Sequence, residues 1–204
     1  MHRLIIAAAA LMTSACATAG EQSFEEAASG AYELEKSHAS LIWKVRHNGL
    51  SNYTARFTDF DATLDFDPDN PVASSVSVSI NPMSVETDHP TKADEWNTEL
   101  GSEAKWLNGE EFPVILFTST GIEQTGEFTG KLTGDVTFLG VTKPVTLDVT
   151  YNGTGNAPWF GTRDIVGFSA RGTLTRSEFG LTTLASIVGD EVEIIIEAEF
   201  VEAE

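Results

Sequence analysis

Residues 60–66 read Phe-Asp-Ala-Thr-Leu-Asp-Phe, and apolar side chains occupy every second position of this stretch. Successive side chains of a β-strand point to opposite faces, so this alternation is typical of an antiparallel strand with one buried face. The same period of two recurs at residues 41–47, 72–80, 145–149 and 192–200. The pattern predicts a fold built mainly from short antiparallel strands.

Turn-forming residues separate the predicted strands. They cluster at residues 67–71, at Asn152-Gly153 and at Gly189-Asp190, and such clusters are typical of hairpins and loops. A regular alternation of strands with helices is missing from the sequence pattern. A single β-barrel or β-sandwich is therefore favoured over a parallel sheet covered by helices.

One segment departs from the period of two. Within Ala93–Asn108, apolar residues recur near helical spacing with acidic residues between them: Trp96, Leu100, Ala104 and Leu107. Such spacing gives a helix one apolar face. We therefore expect an insertion of one or two short helices, about halfway along an otherwise all-β domain.

Residues 1–19 are predicted to form a secretory signal peptide. The apolar run Leu4–Met12 follows a weakly basic start and is too short to span a bilayer. Two processing routes stay open. Cleavage after Ala19 would release a soluble protein, whereas a lipoprotein signal ending at residue 15 would leave Cys16 to receive lipid. We expect the second route, with Cys16 as the lipidation site.

The remaining chain divides into a tether and one domain. Residues 20–30 are polar and rich in small side chains, so they are interpreted as a flexible tether. Residues 31–204 are interpreted as a single domain, which matches their length. With a signal of this kind, we expect a periplasmic protein that meets the membrane only through an N-terminal lipid anchor.

Composition argues against several classes of function. The chain carries 31 Asp and Glu against 12 Lys and Arg, a net charge of −19, which disfavours nucleic-acid binding. Its single cysteine excludes an intramolecular disulfide. His38 and His47 would face opposite sides of a regular strand, so no metal site is expected. Motifs for a nucleophile elbow, a phosphate loop or a zinc peptidase are not found in the sequence. We therefore expect neither an enzyme nor a cofactor other than a bound lipid.

Four groups of strings occur in a specific order along the chain: His38–His47 with Gly49–Ser51 and Arg56-Phe57, then Phe112-Pro113 with Phe117–Thr120, then Gly134–Val145, and finally Val166–Ala170 with Arg176–Leu181 and Val188–Val192. Together these strings resemble the YceI-like family of bacterial periplasmic proteins. The ordered set covers essentially all of the region from Tyr32 to Glu199. Trp43 departs from the family pattern, because Phe is common at that position.

The resemblance implies an extended, antiparallel, lipocalin-like β-barrel with minor α content. It also implies that a long-chain isoprenoid lipid, such as a polyisoprenoid or an isoprenoid quinone, is held inside the barrel. The implied role is carriage or storage of this lipid between membranes, in the setting of envelope stress. Whether the protein assembles as a homodimer stays open. The bulk of Trp43 would shorten or reshape the interior.

Alternation along the strands predicts which side chains face inward and would bind the ligand: Trp43, Val45, His47, Phe60, Phe117, Phe138, Phe168 and Ile194. His47 is expected to be buried with its hydrogen bonds satisfied. Phe179 is added as a cap at one end, although it suits an anchor for a turn equally well. Two alternatives stay open: an enzyme that acts on an amphiphile through His47, and an envelope protein whose solid core these side chains fill.

Overall fold

The computed structural model describes residues 22–204, which form one antiparallel β-sheet and one α-helix. The alternation at residues 60–66 produces a strand whose residues Ala62, Leu64 and Phe66 are buried. The helix is α1 (Ala93–Ser102). The strands in chain order are β1 (Gly30–Leu34), β2 (Ser40–His47), β3 (Ser51–Phe57), β4 (Phe60–Phe66), β5 (Ser75–Ile80), β6 (Val85–Glu86), β7 (Ile115–Gln124), β8 (Thr129–Phe138), β9 (Val141–Gly155), β10 (Ile165–Thr175) and β11 (Val188–Glu202).

The sheet closes on itself because β1 pairs with β4 on one side and with β11 on the other. Strand β11 is long enough to pair with β1 near its end and with β2 near its start. The pairs β1–β2, β3–β4 and β5–β6 therefore each act as one interrupted barrel strand, which gives an eight-stranded barrel. This architecture confirms the predicted antiparallel barrel. Closure leaves few free strand edges for pairing with other chains.

Helix α1 lies where the ring of strands is incomplete. Strand β6 pairs with β3 alone among the described strands, and β7 begins opposite the end of β5. The helix packs beside β6, and Leu100 on the helix and Leu107 in the turns after it are buried. The Trp96 indole nitrogen donates a hydrogen bond to the Tyr53 hydroxyl on β3, at 2.8 Å. The predicted helical insertion is confirmed as one helix followed by turns.

Two hydrophobic clusters divide the interior along the barrel axis. One surrounds α1 and includes Leu41, Phe117 and Phe138, and we call this part of the barrel the α1 end. The other includes Tyr32, Phe66 and Tyr151, and we call it the Phe24 end. Val78 on β5 packs against both clusters and marks the middle of the interior.

Residues 22–28 cover the Phe24 end of the barrel. The Phe24 ring stacks on Tyr151, with ring centroids 4.6 Å apart, and lies 5.3 Å from Phe128. The Ala28 amide donates to a carboxylate oxygen of Asp164 at 3.0 Å. The interpretation of residues 20–30 as a flexible tether is therefore corrected for this part, because an aromatic side chain in the polar segment finds an aromatic cluster to pack on.

The predicted signal peptide and Cys16 lie outside the described residues. Within residues 22–204, the one helix is too short to cross a membrane.

Candidate functional site

A cavity of about 500 Å³ occupies the interior of the barrel. Side chains from α1 and from every strand except β6 line it, and it extends from Phe24 at one end to His47 at the other. Its volume falls within the range of about 300–1,000 Å³ that small-molecule sites typically show. The barrel thus encloses a space that its own side chains do not fill.

Apolar and aromatic side chains form most of the cavity wall. Among the described residues, three lining side chains can carry a charge near neutral pH: His47, Glu127 and Arg176. The neutral lining residues Ser74, Ser75, Gln124 and Thr129 belong to the loops and strand ends near the Phe24 end. Charged groups therefore lie towards the ends of the cavity, and its middle is apolar.

Eight of the predicted inward-facing residues line this cavity: Trp43, Val45, His47, Phe60, Phe117, Phe138, Phe168 and Ile194. Their common placement follows from strand register, since Trp43 pairs with Ile194 on β11 and with Ala55 on β3. The structure thus brings them together on one continuous surface. Their contact with a ligand stays a prediction.

His47 and Phe179 differ from the other predicted residues. His47 is the last residue of β2 and its side chain is exposed at the barrel rim. The expectation that it is buried is wrong, because β2 ends at this residue and its side chain lies at the open rim. Phe179 is 2% exposed but does not line the cavity. It packs against Phe138, with ring centroids 5.8 Å apart, which suits the alternative of a turn anchor.

Arg176 lies at the α1 end of the cavity with its guanidinium buried. It donates four hydrogen bonds, at 2.8–3.0 Å, to the backbone carbonyl oxygens of Leu181, Thr183, Val188 and Gly189. Burial lowers the pKa of this guanidinium, and the nearby Asp190 carboxylate opposes that shift. The side chain thereby fixes the loop after β10 against the start of β11.

A group of aromatic residues that we did not predict as ligand contacts also lines the cavity. Tyr53, Trp96 and Trp106 surround its α1 end, and Phe24 and Tyr151 its other end. Two signals were available in the sequence: the tryptophans recur in the helical segment, and Phe24 is a lone aromatic residue in a polar stretch. Neither signal shows that these residues face the same interior.

Burial is the main cause of the pKa shifts at the Phe24 end of the barrel. It raises the pKa of the Tyr32 and Tyr151 hydroxyls, and the negative charge of Asp164 adds to both shifts. The Tyr32 hydroxyl donates to the Ala28 carbonyl oxygen at 2.8 Å, so it links the covering segment to the barrel. Among residues 22–204, no three His, Cys, Asp or Glu side chains converge in a way that could hold a metal ion.

The family model for the YceI-like domain matches residues 32–200 of this chain. The chain belongs to the YceI-like family. Protein YceI of Salmonella arizonae is 39% identical over 173 residues, which cover 84% of this chain and 86% of that protein. Protein YceI of Salmonella heidelberg matches to the same extent. These matches confirm the family resemblance that the ordered strings indicated.

Solved structures share the fold of this YceI-like chain. The Campylobacter jejuni YceI protein is 28% identical with a TM-score of 0.66, over 79% of this chain and 91% of that one. Burkholderia cenocepacia BcnA is 22% identical with a TM-score of 0.70, over 81% and 98%. A polyisoprenoid binding domain from Saccharophagus degradans is 15% identical with a TM-score of 0.60, over 84% and 98%. At their low identity, the last two show the fold alone.

Proposed function

We propose that this protein binds a long apolar lipid of the isoprenoid class, a polyisoprenoid or an isoprenoid quinone, inside the barrel. The observation that carries the proposal is the continuous apolar cavity of about 500 Å³ between the two ends of the barrel. An elongated cavity with charged groups only towards its ends suits a hydrocarbon chain. The proposal also agrees with the name of the Saccharophagus degradans structure, a polyisoprenoid binding domain of the same fold.

Burial of hydrocarbon supplies the driving force for such binding. Each CH₂ group removed from water contributes about 0.8 kcal/mol, so one five-carbon isoprene unit contributes roughly 4 kcal/mol. Burial of a few units therefore offsets most or all of the roughly 4–15 kcal/mol lost on immobilising a ligand. Hydrogen bonds to the hydrocarbon chain of the ligand are not needed for affinity, which agrees with the apolar middle of the cavity.

Binding is favoured over both alternatives that the sequence left open. An enzyme acting through His47 could reach only the part of a ligand at the mouth of the cavity, because His47 lines the cavity at its exposed rim. Among the described residues, no histidine or carboxylate lines the middle of the cavity. An envelope protein with a solid core would lack a cavity of this volume.

We further propose that the protein is exported, is lipidated at Cys16 and carries or stores its lipid in the periplasm. The apolar run before Cys16 and the small residues around it support this location. Cell fractionation tests the anchor. The natural chain is expected in the membrane fraction and the Cys16→Ser variant in the soluble periplasmic fraction. Identical fractionation of both would contradict lipidation.

Mass spectrometry of extracted lipids tests the proposed ligand. The protein is purified from its own cell envelope without detergent, and a stoichiometric prenyl lipid or quinone is the expected result. A protein that is empty and also fails to take up added prenyl chains would overturn the proposal.

A pair of variants on β5 makes the test specific to the cavity. Val78→Trp places a large ring in the middle of the cavity, so we expect it to abolish lipid uptake. Ser79→Trp is the matched control, because the neighbouring Ser79 side chain is exposed on the outer face. Equal lipid uptake by the two folded variants would place the lipid outside the cavity.

A further inference from the structure

Two adjoining loops at the α1 end expose large apolar side chains. Leu50 lies in the turn between β2 and β3 and is 80% exposed. Leu184 and Ile187 lie in the loop before β11 and are 50% and 38% exposed. The loops adjoin because the Asn48 amide donates a hydrogen bond to the Ile187 carbonyl oxygen at 2.6 Å. We call these three side chains the mouth patch. Neighbouring exposed apolar side chains often mark an interaction site, whereas single ones need no explanation.

The backbone of Leu184 sets this residue apart from an ordinary loop residue. Its φ of 53° lies in the left-handed region, which is uncommon for residues other than glycine, asparagine and aspartate. Its carbonyl oxygen accepts hydrogen bonds from the amides of Ile187 and Val188, both at 2.8 Å, so a tight turn holds this conformation. Glycine or asparagine would suit the turn better. The local structure therefore does not explain the apolar side chain at its tip.

The mouth patch is continuous with the cavity. Leu184 lines the cavity although it is half exposed, and so does His47, which pairs with Val188 at the start of β11. The opposite end of the cavity is covered by the stacking of Phe24 on Tyr151. A lipid that passes the mouth exposes its hydrocarbon to water unless the mouth touches an apolar phase. The patch thus lies where contact with a bilayer would shield the lipid.

Charge around the mouth patch suits phospholipid head groups better than the rest of the acidic surface does. Residues 36–58 contain no Asp or Glu, and residues 179–189 contain no charged side chain, in a chain of net charge −19. Arg46 is exposed, and no carboxylate lies within 4.0 Å of it in the described part of the chain. Acidic residues return only beside the loop, at Glu178 and Asp190. An anionic bilayer surface therefore repels most of the protein and admits this tip, which orients the approach.

On the basis of the proposed function, we propose that the mouth patch docks on a phospholipid bilayer and that the lipid passes between bilayer and cavity at this end. Leu50, Leu184 and Ile187 enter the boundary between head groups and acyl chains, as apolar side chains of interfacial proteins do. The Arg46 guanidinium pairs with a lipid phosphate. The fold need not change for docking, because these side chains are already exposed.

Flotation with phospholipid vesicles tests the docking. The protein is the full chain with Cys16→Ser, so that no lipid at this residue contributes to binding. The vesicles consist of phosphatidylcholine alone or of an equal mixture with phosphatidylglycerol. We expect binding to both, and tighter binding to the mixture. The double variant Leu50→Ser with Ile187→Ser is expected to bind about tenfold more weakly. Arg46→Gln is expected to lose the preference for the mixture.

Two further variants separate docking from misfolding and from general surface hydrophobicity. Leu184→Asn suits the left-handed turn, so it keeps the fold and is expected to weaken vesicle binding. Trp159→Ser is the matched control, since Trp159 is 70% exposed, lies between β9 and β10 at the Phe24 end and does not line the cavity. We expect this variant to bind vesicles as the unsubstituted protein does.

Uptake of squalene distinguishes failure of the docking from failure of the proposed function. The probe is delivered either by cyclodextrin or within vesicles. The double variant is expected to take up squalene normally from cyclodextrin and several-fold more slowly from vesicles, because Leu50 and Ile187 do not line the cavity. Failure of every variant and of the unsubstituted protein to take up squalene from cyclodextrin would overturn the proposed function, and the inference with it.

Three results would overturn the inference while squalene uptake from cyclodextrin upholds the proposed function. The first is absence of vesicle binding, or equal binding by the double variant. The second is an equal loss of binding in Trp159→Ser. The third is a dimer, seen by size-exclusion chromatography without vesicles, that the double variant converts to a monomer, which would assign the mouth patch to a second copy of the chain.

Discussion

The guanidinium of Arg176 is buried, yet no carboxylate lies within 4.0 Å of it in the described part of the chain. Four backbone carbonyl oxygens take the place of a counter-ion. Substitution by Met would leave these carbonyls without their donor. We expect Arg176→Met to lower the free energy of unfolding by about 3–5 kcal/mol, as measured by urea denaturation.

Arg171 on β10 offers a matched control for this change. Its side chain is exposed and lies 3.9 Å from a carboxylate oxygen of Glu197. Exposed ion pairs contribute about 0–1 kcal/mol, so Arg171→Met is expected to change stability by less than about 1 kcal/mol. Similar losses for the two variants would show that burial and the carbonyl contacts of Arg176 do not determine its contribution.

Residue-level prediction from the sequence succeeded where the strand pattern is regular and failed where strands end. Trp43 lines the cavity as alternation predicts, because it lies in the middle of β2 between two paired neighbours. His47 follows the same alternation but is exposed, since β2 ends at that residue. The Trp43 indole nitrogen is buried without a hydrogen-bond partner among residues 22–204, and this state depends on the side chains around it. The sequence pattern holds no information about them.

At the scale of the element, a glycine on β8 allows residues of β7 to approach its backbone closely. A β-carbon added to Gly134 would lie 2.4 Å from a ring carbon of Phe117 and 2.6 Å from the Thr118 carbonyl oxygen. The Phe117 ring therefore occupies the space that a side chain at position 134 would need. We expect Gly134→Ala to destabilise the fold by about 1–3 kcal/mol and to push the ring into the cavity, as measured by thermal unfolding and lipid uptake.

Gly121 on β7 is the matched control for this substitution. A β-carbon there meets no atom within 4 Å, and the residue follows an irregularity in the β7–β8 register. Gly121→Ala is therefore expected to leave stability and uptake nearly unchanged. A loss as large as that of Gly134→Ala would mean that backbone flexibility, and not the Phe117 contact, sets the requirement for glycine.

Prediction at the scale of the element was limited by interruptions. Residues 72–80 alternate throughout, yet β5 begins at Ser75 because Pro71–Ala73 forms a turn of 3₁₀ helix. The breaks between β1 and β2 and between β5 and β6 likewise contain such turns. Alternation reports which side of a strand is buried. It does not report where a closed barrel requires the strand to bend.

The whole molecule is expected to lose stability in alkaline solution through its buried tyrosines. Burial raises the pKa of Tyr32 and Tyr151 above the ordinary value of about 10. Above about pH 10 the unfolded chain releases these protons while the folded chain keeps them. The folded state then binds more protons, so the free energy of unfolding falls as pH rises.

The Tyr32→Phe variant tests this assignment. It also loses the hydrogen bond to the Ala28 carbonyl, so it starts from a lower stability at neutral pH. Between about pH 9 and pH 11, however, we expect its urea midpoint to decline less steeply than that of the natural protein. Parallel declines would exclude Tyr32 as a source of the alkaline sensitivity.

At the scale of the whole molecule, the barrel was predicted from strand alternation and family resemblance together. Closure depends on the pairing of β1 with β11, which joins opposite ends of the domain and leaves no local signal in the sequence. The cavity was not determined by the pattern either. The inward-facing aromatic residues would equally fill a solid core, and the outcome depends on how rings such as Phe117 lie against the wall.

The segment at residues 22–28 has a consequence for rates of exchange. It covers the Phe24 end through the stacking of Phe24 on Tyr151 and the bond from Ala28 to Asp164. A lipid that leaves by this end can do so only while the segment is detached, so the rate of detachment limits release by this route. We expect Phe24→Ala to accelerate lipid transfer to acceptor vesicles, measured by stopped-flow fluorescence, with a smaller change in affinity. Both uptake and release of the lipid would then become faster. The contacts of residues 22–28 with the barrel would thus control how fast the bound lipid is released.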